Sequence, residues 1–222
     1  MNIDFGSNDV RRMPVYLLLD SSGSMAGAPI QGVEQGVQLL RNELLSLPQA
    51  VEMVHIGVIT FASKADQVVP LTPVTSFSPP NLSAGGTTAL GGALRKLTQA
   101  LDNEITPTTA EKKGDYKPLV FLLTDGEPTD DWEPALRTLN SRQEKKVGSM
   151  IALGCGDSVN FDILRQIAPT VLAMPDATAD NIKNFFRWVS ASVKTASVSA
   201  AGAASGAGAA LPPPSAGFQI IL

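Results

Sequence analysis

Apolar residues arrive in short, continuous runs closed by polar or glycine-rich punctuation. Val15–Leu19 closes on Asp20, Val54–Phe61 on Ala62 and Ser63, Leu119–Leu123 on Thr124 and Asp125, and Met150–Leu153 on Gly154. Runs this short, bounded by turn residues, read as strands buried on both faces. The pattern predicts strands at 14–20, 54–61, 119–124 and 148–153, with shorter ones at 65–71 and 170–173. Between them the period changes. Val33, Val37, Leu40, Leu44 and Leu45 recur at helical spacing after Pro29, giving a helix to about residue 46 that Leu47-Pro48 ends. Further helices are expected from Thr87 or Thr88, either of which can cap one, to about residue 103, over 131–145 and near 160–168. Ile182, Phe185, Phe186, Val189 and Val193 form the stripe of a last helix over 179–195.

Regular alternation of strand and helix predicts an α/β fold: a doubly wound, mostly parallel sheet with right-handed crossovers and helices on both faces. The short run at 65–71, punctuated by Pro70 and Pro73, reads as one antiparallel edge strand. Residues 1–13 form a polar lead-in carrying Arg11 and Arg12, and 14–195 the folded domain. Residues 104–117 read as a hydrophilic loop, solvated from Glu111 to Lys117. Composition shifts at 196–217 to Ala, Gly, Ser and Pro, the makeup of a flexible linker with a stiffer proline step. Residues 218–222, Phe-Gln-Ile-Ile-Leu, are apolar enough to add to a sheet edge, of this chain or of a partner; an idle tail is the alternative.

Composition narrows the function. A formal charge of −4 and a pI near 5.0, without a basic stripe, argue against nucleic acid or an anionic membrane as partner. One cysteine, Cys155, allows no intrachain disulfide. The opening Met1–Gly6 lacks the charged and apolar regions of a signal peptide, and no run reaches membrane-spanning length, so a cytoplasmic location is expected.

Chemistry concentrates where strands end. Asp20-Ser21-Ser22-Gly23-Ser24 follows the first strand, Gly85-Gly86-Thr87-Thr88 precedes a helix, and Thr124-Asp125-Gly126 closes a later strand. The C-terminal edge of an open α/β sheet is where ligands bind. A carboxylate and two hydroxyls on one tight turn suit a hard cation such as Mg²⁺. Alone, the first segment reads equally as a strand-to-helix turn with capping hydroxyls; the three segments together favour a metal site.

Asp20-x-Ser22-x-Ser24, a threonine after Gly-Gly, and Thr124-Asp125-Gly126, in that order, resemble the metal-ion-dependent adhesion site of von Willebrand factor A domains over about residues 13–195. The resemblance implies that Ser22, Ser24 and a threonine approach the metal. It also implies that Asp20 and Asp125 act through water, and that a protein partner's acidic side chain completes the shell. Thr88 fits the family spacing Thr-x-Leu-Gly, with Thr87 the alternative. Mg²⁺ is the expected ion, Mn²⁺ or Ca²⁺ the alternatives. Arg11-Arg12-x-Pro14-Val15-Tyr16, Phe121–Asp130, Gly114–Pro118 and the proline-rich apolar ending resemble bacterial tellurium-resistance-associated proteins of the TerY type. That narrower resemblance implies a cytoplasmic stress-response system with protein kinase or phosphatase partners. The zinc module of some relatives is not expected from a chain with one cysteine and one histidine.

The competing reading is an enzyme, an aspartate-dependent phosphohydrolase using the same strand-end cluster. Such enzymes resemble Asp-x-Asp at the first strand, where this chain has Ser22. The acid/base carboxylate is missing. No Gly-x-Ser-x-Gly elbow is present, and His55 falls mid-strand, so a non-enzymatic protein is expected. Glu127 lies near the cluster, Thr129, Asp130 and Asp131 are expected to start the next helix, and Cys155 is expected to be structural.

Overall fold

The computed structural model describes residues 10–142, 147–202, 212–213 and 217–221. Among these residues seven strands form one sheet: β1 (Met13–Asp20), β2 (Val54–Phe61), β3 (Ala65–Pro73), β4 (Leu119–Thr124), β5 (Ser149–Cys155), β6 (Thr170–Met174) and β7 (Gln219–Ile221). Their order is β3-β2-β1-β4-β5-β6-β7. β1, β2, β4, β5 and β6 run parallel, and β3 is the expected antiparallel edge. The C-terminal segment adds a second antiparallel edge as β7, paired with β6.

Among the described residues six α-helices cover the two faces: α1 (Ala28–Leu45), α2 (Pro48–Met53), α3 (Leu90–Glu104), α4 (Glu133–Asn140), α5 (Phe161–Ile167) and α6 (Ala179–Gly202). Every residue of β1 is buried, and its side chains alternate between two cores. Leu17 and Leu19 join α1, α2 and α6 on one side, while Tyr16 and Leu18 join α3, α4 and α5 on the other. The α1–α6 contact is close because Gly36 lies under Phe186; a Cβ there would stand 2.1 Å from the ring.

Several expectations change. Pro48 does end α1, but it also opens α2, because proline at the first helical position gives up only an N–H that has no partner there. α4 is shorter than expected; the part of its predicted span at 143–145 lies outside the described residues. The last helix does not stop at 195. Residues 196–202 are helical, with Ser197 fully buried and the Ala200 carbonyl accepting from the Tyr116 hydroxyl at 3.1 Å. Alanine favours helix once a packing surface is present. Most of the linker and lead-in, at 203–211, 214–216 and 1–9, and Leu222 lie outside the described residues.

In the loop expected to be solvated, residues 111–113 and Lys117 are exposed as expected, but Gly114, Asp115 and Tyr116 form a polar lock at the N-terminal end of β1. The Arg12 guanidinium donates to both carboxylate oxygens of Asp115, at 2.8 and 2.6 Å, and to the Glu104 carbonyl at 2.8 Å. Arg11 donates to the Gly114 carbonyl at 2.7 Å and lies 4.0 Å over the Tyr116 ring. Glu104 in turn accepts from the Tyr16 hydroxyl at 2.7 Å and from Gln67. The Arg-Arg and Gly-Asp-Tyr segments, far apart in sequence, are two halves of one structure.

Candidate metal centre

The strand order reverses between β1 and β4, the position where an open α/β sheet leaves a crevice at its C-terminal edge. Leu19 pairs with Leu123 there, so Asp20 and Thr124 leave the sheet side by side. Three loops close over them. The β1–α1 loop meets the loop before α3 through Gly23 N–H to the Gly86 carbonyl, 3.0 Å, and Gly85 N–H to the Ser21 carbonyl, 2.9 Å. Gly86 sits at φ 79°, a left-handed conformation that favours glycine. The loop before α3 joins the β4–α4 loop by a reciprocal pair. Thr88 N–H donates to Thr129 Oγ1 at 3.1 Å, and Thr129 N–H to the Thr88 carbonyl at 2.9 Å.

Side chains complete the ring. Asp20 Oδ1 accepts from Ser22 N–H at 2.8 Å, and Asp20 Oδ2 from the Thr124 hydroxyl at 2.5 Å. Ser24 Oγ donates to Asp125 Oδ1 at 2.7 Å and stands 3.1 Å from Ser22 Oγ. Asp20, Ser22, Ser24 and Asp125 therefore form one connected set. Thr88 is buried, and its hydroxyl faces Gly126, 3.5 Å from where a Cβ would stand. Thr87 is exposed, with its backbone N–H donating to Ser63 Oγ at 3.1 Å. Of the two threonines, Thr88 is the buried one, with its hydroxyl beside the residue that follows Asp125.

The electrostatics are one-sided. Asp20 is fully buried, and burial pushes its carboxyl above the usual range against the opposing bonds from Thr124 and Ser22; nearby Asp125 pushes the same way. Among the described residues neither Asp20 nor Asp125 is in an ion pair. No three His, Cys, Asp or Glu side chains group as a metal site among the described residues. Two carboxylates with three hydroxyls form a different donor set, all oxygen, which fits a hard divalent ion.

Other residues take roles the sequence reading did not assign. Thr124 holds Asp20, a bond invisible in a strand-end Thr-Asp pair until β1 and β4 are adjacent. Asp130 does not start α4, which begins at Glu133; its two oxygens accept from Gly91 and Gly92 N–H, both at 2.8 Å, and so cap α3. Neither Thr87 nor Thr88 caps that helix; its N-cap residue is Ala89, with no side-chain bond. Glu127 is exposed and accepts from Asn160 at 2.9 Å. His55 lies at the opposite end of β2, half-buried, with Nδ1 3.2 Å from the Met53 carbonyl. Cys155 is buried, and burial raises its thiol pKa well above the usual range, which keeps it protonated.

Solved structures share the fold at low identity. A von Willebrand factor type A protein from Catenulispora acidiphila aligns with TM-score 0.62 and 20% identity, over 83% of this chain and 43% of that one. Proximal thread matrix protein 1 from the mussel byssus, with a zinc-occupied MIDAS motif, aligns with TM-score 0.58 and 21% identity, over 82% and 48%. The pilus adhesin SpaC from Lactobacillus rhamnosus GG gives TM-score 0.65 and 17% identity, over 84% and 30%. The chain spans less than half the length of each. No described helix is long and apolar enough to cross a membrane. The von Willebrand factor type A domain profile matches residues 15–188, and the chain belongs to that family.

Proposed function

We propose that this chain is a metal-dependent protein-binding module, in which Ser22, Ser24 and Thr88 offer hydroxyl oxygens to a divalent cation, Mg²⁺ by preference. Asp20 and Asp125 hold those hydroxyls and the cation's waters in place. The observation that carries the reading is the connected set Asp20, Ser22, Ser24 and Asp125 at the switch point, with two carboxylates and, among the described residues, no cationic side chain paired to them. With few direct carboxylate ligands, the bound cation keeps net positive charge and attracts an acidic side chain of a protein partner. This chain's residues do the positioning: Thr124 fixes Asp20, and Thr129 fixes the backbone of Thr88.

Catalysis fits the site less well. Both oxygens of Asp20 already accept hydrogen bonds, and position 22 carries a hydroxyl where a phosphohydrolase of this type needs a second carboxylate. The narrower setting we propose is a cytoplasmic tellurium-resistance or related stress response with a protein kinase or phosphatase among the partners. Its support is the likeness of the Arg11–Tyr16, Gly114–Pro118 and Phe121–Asp130 segments to TerY-type proteins.

Thermal unfolding with and without Mg²⁺ or Mn²⁺ tests the metal reading. At free metal one hundred times Kd, linkage predicts about 2.7 kcal/mol of added stability. Asp20→Ala or Ser22→Ala should remove that gain and also metal-dependent capture of acidic partners. An equal gain in both variants would refute the site.

A further inference from the structure

At the β6 edge of the sheet, the C-terminal segment lies over an apolar surface but is held by few contacts. β7 pairs with β6 at three positions, Gln219 with Ala173, Ile220 with Leu172 and Ile221 with Val171, although β6 itself has five residues. Phe218 packs edge-on against Phe185 with ring centroids 6.5 Å apart, and Ile221 reaches the opposite core. Ile220 stays 52% exposed. Upstream, Trp188 Nε1 donates to the Pro212 carbonyl at 3.0 Å. Phe185 and Trp188 are 1% and 3% exposed with the segment in place.

A strand this short contributes few main-chain hydrogen bonds. Residues 203–217, which join α6 to Phe218, are almost all Ala, Gly, Ser and Pro. A segment carried on the same chain competes with a free partner at an effective concentration on the order of millimolar. Removing the segment would bare a sheet edge beside two aromatic rings, a surface that invites a protein partner.

We propose that the β6 edge, with its Phe185 and Trp188 floor, is a docking groove for an extended segment of a partner protein, and that residues 218–221 are its tethered, displaceable occupant. The partner's chemistry follows from what the groove holds now. It is a strand antiparallel to β6, aromatic at its first position and β-branched aliphatic at its third and fourth. A partner strand paired along all five residues of β6 makes main-chain bonds beyond the three-residue pairing of β7, and so outcompetes the tether. The Trp188 indole N–H, released from Pro212, is then free to donate to the partner's main chain. The groove shares no residue with the metal centre.

A dye-labelled peptide with the sequence of residues 216–222, titrated by anisotropy against the full chain, tests this. Phe218→Asp with Ile221→Asp should undock the tail, and the peptide should then bind at least about ten-fold more tightly than to wild type. Adding Phe185→Ala should remove that binding. Ile221→Asp alone serves if the double variant does not fold. In hydrogen exchange, the 171–173 amides should lose protection in the undocked variant and regain it with peptide. Equal affinity for wild type and a folded undocked variant, or binding that survives Phe185→Ala, would overturn the proposal. Concentration-dependent dimers of wild type that the undocked variant does not form would make a second copy the occupant, and would overturn the partner assignment.

Discussion

The two ends of β1 carry two polar clusters built in the same way and finished differently. Each joins groups about a hundred positions apart: Ser24 to Asp125 at one end, Arg12 to Asp115 at the other. Each buries a carboxylate, Asp20 fully and Asp115 nearly so. The Asp115 end brings its own cation, the Arg12 guanidinium, whose pKa the Asp115 bond raises further. The Asp20 end brings a second carboxylate and hydroxyls, with no cationic side chain paired to either aspartate among the described residues. A buried anion balanced within the chain locks structure. A buried anion left to an outside cation is what the proposed binding site requires. The difference lies in charge balance, since burial and connectivity are alike.

The sharpest way to break this comparison is to exchange the expected phenotypes. Arg12→Ala strands a buried carboxylate and removes a donor to the Glu104 carbonyl, so stability should fall by about 3 kcal/mol with the metal response intact. Asp20→Asn should do the reverse, leaving metal-free stability within about 1 kcal/mol of wild type while abolishing the metal-induced rise. Denaturant unfolding in chelator and in saturating Mg²⁺ separates the two; matching behaviour of both variants would erase the distinction. A smaller effect is expected beside the proposed metal site. Asp130→Ala uncaps α3 and should cost about 1 kcal/mol, with metal affinity falling only as far as the Thr88 loop loosens. Calorimetric Mg²⁺ titration of this variant measures that coupling.

The smallest effect is a pH dependence at the locked end. Burial holds the His55 imidazole below its ordinary 6.5, against the opposing bond to the Met53 carbonyl. As pH falls below 6.5 the unfolded chain takes up a proton that the folded chain resists, so stability falls until the lower folded value is passed. His55→Gln should flatten this part of the profile. Melting temperatures across that range for both proteins decide it; superimposable profiles would remove His55 from the account.

Strands were legible because a strand buried on both faces must be apolar throughout, as β1 and β4 are. Asp20, Ser22, Ser24 and Asp125, with Thr88 or Thr87, could be proposed as a group because each stands at a break between an apolar run and a glycine-bearing turn. The supporting residues were not. Thr124 reads as the last residue of a strand, Asp130 as the first turn of the wrong helix, and Arg12 and Asp115 as two solvated charges. Each acts on a partner supplied by another loop, and no local period records such a pairing. Residues 196–202 failed for a related reason: alanine-rich sequence is linker or helix according to whether a surface such as Tyr116 waits beside it.

The sequence by itself determined the alternation of elements, the polar positions at the strand ends and the apolar character of the last residues, because these depend on hydrophobic period and local turn chemistry. Only the tertiary structure decided which carboxylate is balanced by arginine, which threonine is buried beside Gly126, and that Phe218–Ile221 closes its own sheet. Those outcomes depend on which strands become neighbours. Adjacency of β1 to β4, and of β6 to β7, is set by packing of the whole chain.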